Sequence, residues 1–426
     1  MNVLLVTIFL VGYIAIALEH SIRLNKAATA LMTGVGCWVV YMFSGIDTHA
    51  VNHQLEAHVG EVSGILFFLL GAMTIVELID AHDGFDVITQ RITSLNKKKL
   101  LWIIAIITFF LSAILDNLTT AIVMVSILKK LIDDKKDRLL FAGMVIISAN
   151  AGGAWSPIGD VTTTMLWIGG QITALQVIKT VFLPSLVSTV VPLLLFGVQL
   201  KGNFSSNMNK PNVDIPSKYV VRERNIVFFA GILILLLVPI FKMVTHLPPF
   251  MGMMAGLGLM WVITELVHSG KSGDDKHPKS VQFALRKIDT PSILFFLGIL
   301  LSVAVLQSSG ILQTWAQVLR KALQHDTLIV TVIGLLSSIV DNVPLVAASI
   351  GMYSLEQYPS DHFFWQFLAY CSGTGGSILI IGSAAGVAAM GIEKINFMWY
   401  IKKVSWLALL GYLAGIGVYL LQHMFM

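Results

Sequence analysis

The chain has 426 residues, of which 56% are hydrophobic and only 12% charged. A soluble domain carries about 25% charged residues, so a surface that faces water throughout is excluded, and the mean hydropathy of +0.81 agrees. The net charge of +4 arises from Lys and Arg in short loops beside apolar runs and is no nucleic-acid signal. Cys37 and Cys371 both sit in apolar surroundings, which argues against a disulfide framework or a thiolate metal site.

In chain order, MNVLLVTIFLVGYIAIALEH lacks a basic leader and a small-residue cleavage site, so it reads as a retained first helix. Loops rich in Lys and Arg tend to stay on the cytoplasmic side, which assigns the turn with Arg23 and Lys26 to that side. A second helix, about 27–43, leads to an outer loop with His49, His53, Glu56, His58 and Glu61. A third, about 62–79, returns to Arg91 and Lys97–Lys99. The next apolar stretch has basic residues on both flanks, Lys97–Lys99 before it and Lys129, Lys130, Lys135, Lys136 and Arg138 after it. At 1.5 Å per residue its arms, 100–115 and 117–128, reach only about 24 and 18 Å, short of an apolar core of ~30 Å. This predicts a re-entrant hairpin over 100–128, with Asp116 and Asn117 at its buried tip. Non-helical backbone at that depth is tolerated only inside protein or beside a wet cavity.

A crossing over 139–170 is broken at Asn150-Ala-Gly-Gly-Ala-Trp-Ser-Pro-Ile-Gly-Asp160, and a further helix runs to about Leu200. A polar linker, 201–224, holds Lys201, Lys210, Lys218, Arg222 and Arg224 and divides the chain. After it come crossings at about 225–244 and 249–266, and a loop with Lys271, Lys276, Lys279, Arg286 and Lys287. Then the first half recurs. SILFFLGILLSVAVL from Ser292 matches GILFFLLGAMTIVEL from Gly64, and Asp341-Asn342 matches Asp116-Asn117. SGTGGSILIIGSA from Ser372 matches ANAGGAWSPIGDV from Ala149, which sets Gly375, Gly376 and Gly382 on Gly152, Gly153 and Gly159, and Ser383 on Asp160.

The matched helices run in opposite senses across the membrane. The expected fold is an all-α polytopic membrane protein of two inverted repeats, 1–200 and 225–426. It has about ten spanning helices, two re-entrant hairpins (100–128 and 327–356) and two broken helices (139–170 and 362–392). Arg320 and Lys321 then flank the second hairpin on the outer side, against the charge rule, and the match of the halves outweighs them. Inverted repeats with broken helices meeting near mid-membrane are the recurring plan of secondary transporters.

An Asp at the centre of a spanning helix costs about 2.5–3.5 kcal/mol, so Asp116, Asp160 and Asp341 each need a partner, a proton or a cation. For Asp116 and Asp341 the plain alternative is a helix cap, which does not exclude ion binding. Asn117 and Asn342 each add a carbonyl oxygen. Asp160 follows Ser156 and Pro157 and precedes Thr162, Thr163 and Thr164, a cluster of the oxygen donors that hard cations prefer. Glu77, Asp80, His82 and Asp83 read as a solvated helix end, with Glu77 deep enough to be a secondary proton-relay candidate. Glu265 and His268 read as solvated at another helix end, and His49, His53 and His58 as an ordinary polar loop or a pH sensor. No Walker loop, HExxH or Cys/His metal spacing supports an ATP-driven or enzymatic reading.

Together DNLTTAIVM from Asp116, SANAGGAWSPIGDVTTTMLW from Ser148, DNVPL from Asp341 and SGTGGSILIIGSAAG from Ser372 resemble the NhaD-type sodium/proton antiporters of the ion transporter superfamily, over nearly the whole chain. The resemblance implies exchange of Na⁺, and Li⁺, for H⁺ across a bacterial inner membrane, with no cofactor. It implies a scaffold domain that forms a homodimer, and a transport domain that holds the hairpins and moves like an elevator. It carries functional roles to Asp116, Asn117, Asn150, Asp160, Thr162, Thr163, Asp341, Asn342 and Ser377. The alternative is a sodium-coupled transporter of dicarboxylates or other anions in the same superfamily. Its members usually carry Ser-Asn-Thr at the hairpin tips; here both tips have Asp-Asn, and a fixed carboxylate there repels an anion and suits a cation.

Overall fold

The computed structural model describes residues 1–17, 19–90, 92, 94, 96–200, 202–204, 218–268 and 279–425. Arg91, Lys201, Lys210, Lys271 and Lys276, used above to assign sides, lie outside the described residues. We label the helices of eight or more residues in chain order: α1 Asn2–Ala17, α2 Lys26–Met42, α3 Thr48–Ala81, α4 Lys97–Leu115, α5 Asn117–Leu131, α6 Lys135–Ala154, α7 Val161–Ile168 and α8 Ala174–Gln199. Beyond the linker come α9 Lys218–Thr245, α10 Pro249–Val267, α11 Thr290–Ser308, α12 Ile311–Leu323, α13 Asp326–Leu336, α14 Asn342–Met352, α15 Phe363–Gly375, α16 Ala384–Glu393 and α17 Trp406–Phe425. Seven helical segments among the described residues are long and apolar enough to cross a membrane, by length and composition. The protein is an all-α, multi-pass membrane protein.

Four breaks interrupt the helices. α4 gives way to α5 at Asp116, and α6 to α7 between Ala154 and Val161. In the second half α13 and α14 are separated by residues 337–341, and α15 and α16 by residues 376–383. Matched positions make matched contacts. Ser112 Oγ donates to Ala149 O at 2.6 Å, and Ser337 Oγ to Ser372 O at 2.9 Å. Gly152 touches α4 so closely that a Cβ there would sit 2.2 Å from Phe109 O, and a Cβ at Gly375 would sit 2.0 Å from Gly334 O of α13. Such spacing is closed to any residue with a side chain. α5 packs on α16, α7 on α14 and α6 on α15, so the broken elements of one half interlock with those of the other. α2 packs on α11, and α3 on α10 and α11.

Two expectations change, on the 47–61 segment and on His82 and His268, and a third gains a structural setting. His49, His53, Glu56, His58 and Glu61 lie not in a loop but in the first turns of α3, which runs for 34 residues. Asp47 caps it, accepting from Ala50 N at 3.3 Å, and no proline interrupts it. Arg320 and Lys321 belong to α12, an amphipathic helix with Ile311, Leu312 and Ala316 buried, so their charges need not enter an apolar phase. His82 and His268 are not solvated: they are 1% and 3% exposed, because the ends of α3 and α10 turn toward each other and toward Glu223 of α9.

Candidate functional site

Four helix starts converge on one region, and each is capped by its own residue. Asp116 caps α5, accepting from Thr119 N at 2.8 Å and from Thr119 Oγ1 at 2.7 Å. Asp160 caps α7, accepting from Thr162 N at 2.8 Å and Thr162 Oγ1 at 2.7 Å through Oδ1. Asp341 caps α14 through Val343 N at 3.2 Å, and Ser383 caps α16 through Gly386 N at 3.2 Å. The cap reading therefore holds at Asp116 and Asp341, and capping a helix start is favoured by its unpaired N–H groups and its dipole.

The other oxygen of Asp160 is the meeting point of the two halves. Asn117 Nδ2 donates to Oδ2 at 2.7 Å, and Asn342 Nδ2 approaches the same oxygen at 3.5 Å. Asp160 is 1% exposed. Asn117 Nδ2 also donates to Asn150 Oδ1 at 3.1 Å, while Asn150 Nδ2 donates to Ser377 Oγ and Ser383 Oγ, both at 2.9 Å. A connected polar network thus runs from the first hairpin tip through Asp160 and Asn150 to the second broken helix. Fully paired buried networks fix one geometry, because an unpaired member would be costly.

Asp116, Asp160, Asp341, Asn117, Asn342 and Lys26 line a common cavity, together with Met73 of α3 and Phe296 of α11. Lys26 opens α2. Its Nζ lies 3.6 Å from Asp341 Oδ2 and 4.5 Å from the centre of the Phe295 ring. An adjoining cavity shares Lys26 and Asp341 and adds Tyr13, Glu19 and Ser383. Three carboxylates face one ammonium here, which leaves room for added positive charge.

Asp116, Asn117, Asn150, Asp160, Thr162, Asp341, Asn342 and Ser377 are joined by this cavity or this network. Thr163 is turned away, its hydroxyl donating to Ala154 O at 3.3 Å, and Thr164 bonds Pro157 O at 3.0 Å. Glu77 does not line the cavity: its Oε1 is 3.3 Å from Lys287 Nζ. Sequence reasoning missed Lys26 and Ser383. Ser383 had a signal, since it aligns with Asp160. Lys26 served only as a marker of sidedness, and no local pattern ties it to Asp341, 315 positions away in this 426-residue chain.

Asp116 also holds an unusual backbone, with φ 95° and ψ 157°. That region is populated almost solely by glycine and costs on the order of 1–3 kcal/mol otherwise. A glycine would serve the turn, so the carboxylate is retained against the backbone preference.

Comparison with known proteins gives a consistent picture. The citrate transporter family (CitMHS) matches residues 13–366. Sodium/proton antiporter 1 of Arabidopsis thaliana is 49% identical over 422 residues, covering 99% of this chain and 73% of that protein. Sodium/proton antiporter 2 of the same plant is 48% identical, covering 98% and 99% respectively. The Na(+)/H(+) antiporter NhaD of Vibrio cholerae serotype O1 is 30% identical, covering 98% and 91%.

Proposed function

The chain belongs to the NhaD-type sodium/proton antiporters within the citrate transporter family, and from that premise we propose that it exchanges Na⁺ for H⁺, with Asp160 as the carboxylate both ions share. It is a transporter, not an enzyme. The observation that carries the site assignment is the convergence of Asn117 and Asn342, one from each hairpin tip, on one oxygen of a buried Asp160.

A buried carboxylate is penalised while charged, and either a proton or a bound cation removes the penalty. Asp160 Oδ2, the Asn side-chain oxygens and the Asp116 and Asp341 carboxylates offer the hard oxygen ligands a sodium ion takes. Loading with one ion displaces the other, and either loaded form crosses. Lys26 stands in for the missing cation at Asp341 when the site is empty. Li⁺ is a second substrate in this reading.

The citrate name of the wider family raises the anion alternative. A helix start with free N–H groups is an anion site. Here Asp116, Asp160 and Asp341 already occupy three of the four starts, so an added carboxylate would meet like charge. The arrangement favours a cation.

The two halves, 1–200 and 225–426, are read as inverted repeats joined by the 201–224 linker, with α4–α5 and α13–α14 as re-entrant hairpins. α2, α3 and α11 form part of a scaffold, against which the hairpins and broken helices slide as an elevator. The Lys26–Asp341 pair spans that boundary. The homodimer rests on the family resemblance. A bacterial inner membrane is the expected location in this reading, and relatives occur in Arabidopsis thaliana as well.

Everted vesicles or proteoliposomes with an imposed pH gradient test this reading. Added Na⁺ should dissipate the gradient. If Na⁺ fails and citrate or a dicarboxylate is instead taken up with Na⁺, the anion reading replaces it.

A further inference from the structure

A second polar cluster lies apart from the ion cavity, where the ends of α3 and α10 meet the second turn of α9. His82 Nε2 is 3.2 Å from His268 Nε2, His268 Nε2 is 2.6 Å from Glu223 Oε1, and His82 Nε2 is 3.8 Å from the same oxygen. All three residues are buried, at 1%, 3% and 3% exposure. Their three ligand atoms lie within 4.8 Å of one another.

The hydrogen bonds fix the protons. His82 Nδ1 lies 2.7 Å from Leu78 O, and a carbonyl can only accept, so Nδ1 carries the proton and Nε2 presents a lone pair inward. Metal-binding histidines are held in this way, with the distal N–H tied to a backbone carbonyl. His268 Nε2–H donates to Glu223 Oε1, and in the tautomer protonated at Nδ1 its Nε2 lone pair joins that of His82. The rings are nearly parallel, 6° apart, with their centres 5.1 Å from each other.

The spacing suits a metal. Two ligands about 2.0 Å from a tetrahedral zinc stand roughly 3.3 Å apart, and the three pairwise distances of 2.6, 3.2 and 3.8 Å bracket that value. Two imidazoles and a carboxylate form an N/O set that suits zinc, with a fourth position left for water. Lys279 Nζ stands 3.9 Å from Glu223 Oε1, with its side chain 23% exposed. It balances the carboxylate in the absence of metal, and an arriving cation would turn it toward solvent.

We propose that His82, Glu223 and His268 form a binding site for a divalent transition metal of the zinc class. The bound ion clamps the ends of α3 and α10 to α9. It fixes α3, which carries Met73 and packs on α11, and takes no part in the exchange chemistry. The site stands independently of the transport reading.

The test uses the full-length chain in detergent, purified without a polyhistidine tag. After dialysis against limiting Zn²⁺, metal analysis should find one Zn²⁺ per chain, and Co²⁺ substitution should give the intense visible bands of a tetrahedral site. His82→Ala and His268→Ala should each lose the ion, and Glu223→Gln should weaken it at least tenfold. A His49→Ala/His53→Ala double variant, which removes the exposed imidazoles of α3, should keep it. X-ray absorption on the zinc-loaded wild type should show two imidazoles, a reading that needs no variant to fold. Absence of stoichiometric metal from the wild type, retention of the ion by the His82→Ala/His268→Ala double variant, or a zinc spectrum without imidazole would each overturn the proposal. So would variants that lose thermal stability while the wild type binds neither Zn²⁺ nor Co²⁺, because the triad would then be a shared-proton hydrogen bond.

Discussion

Lys26 and Asp341 face each other in the cavity lined by Asp116 and Asp160, with the Lys26 ammonium 3.6 Å from the Asp341 carboxylate and 4.5 Å from the centre of the Phe295 ring. Lys26 begins α2 and Asp341 begins the second arm of a hairpin, so the pair joins two elements that the proposed cycle moves apart. In that cycle the ammonium competes with Na⁺.

Replacing Lys26 removes the competitor. The side chains are 23% and 16% exposed, and ion pairs open to water are worth about 0.2–1 kcal/mol. Lys26→Gln should therefore lower the apparent KM for Na⁺ by up to roughly fivefold, and Lys26→Arg should leave it near the wild-type value. Transport kinetics over a range of Na⁺ concentrations check this. A KM that rises in Lys26→Gln would mean that the lysine supports cation binding and does not compete with it.

Asp116 separates backbone strain from chemistry. Asp116→Gly relieves a conformation that costs on the order of 1–3 kcal/mol and gives up a cap, a loss of only a few tenths with glycine. Its thermal stability in detergent should match or exceed that of the wild type, while Na⁺-driven exchange falls. Asp116→Ala keeps the strain and loses about 1 kcal/mol of capping, so its Tm should be the lowest of the three. An Asp116→Gly protein less stable than Asp116→Ala would refute the strain argument.

Arg138 and Glu393 tie α6 to α16 through a contact of 2.9 Å, with the Glu393 side chain 1% exposed. Arg138 Nη1 also donates to Ile132 O at 2.8 Å, closing the end of α5. Removing one member of a buried pair strands the other and costs about 3–5 kcal/mol. Arg138→Met should therefore lower the Tm strongly, and Arg138→Met/Glu393→Gln should recover part of the loss. Equal Tm values for the single and double variants would show that Glu393 is not stranded.

Much of the fold was legible in the sequence because membrane helices announce themselves by length and apolarity, and glycine-rich breaks announce where they stop. Asp116, Asp160 and Asp341 stood out because a carboxylate in an apolar run needs a reason. The first turns of α3 were misread because His49, His53 and Glu56 look like loop residues, although the helix continues to its Asp47 cap. Lys26 and the His82–Glu223–His268 triad were not legible for a different reason. Their partners come from distant parts of the chain, and no spacing pattern within a segment can reveal a contact made only by packing. The likeness of the two halves was visible, as was a chemical exception to it: Asp160 where the second half has Ser383. The geometry adds that Asn150 bonds Ser383 while Asn117 and Asn342 both reach for Asp160.

The most direct test of the account is Na⁺-driven proton movement by Asp160→Asn in proteoliposomes, with its fold verified by size-exclusion chromatography beside the wild type. Asn preserves the shape of the side chain and can still bond Thr162, but it cannot carry the negative charge that the proposal has the two ions share. The account predicts that Na⁺ dissipates an imposed pH gradient in the wild type and has no effect in the folded variant. Exchange at the wild-type rate in Asp160→Asn would contradict it, and would remove Asp160 from the mechanism.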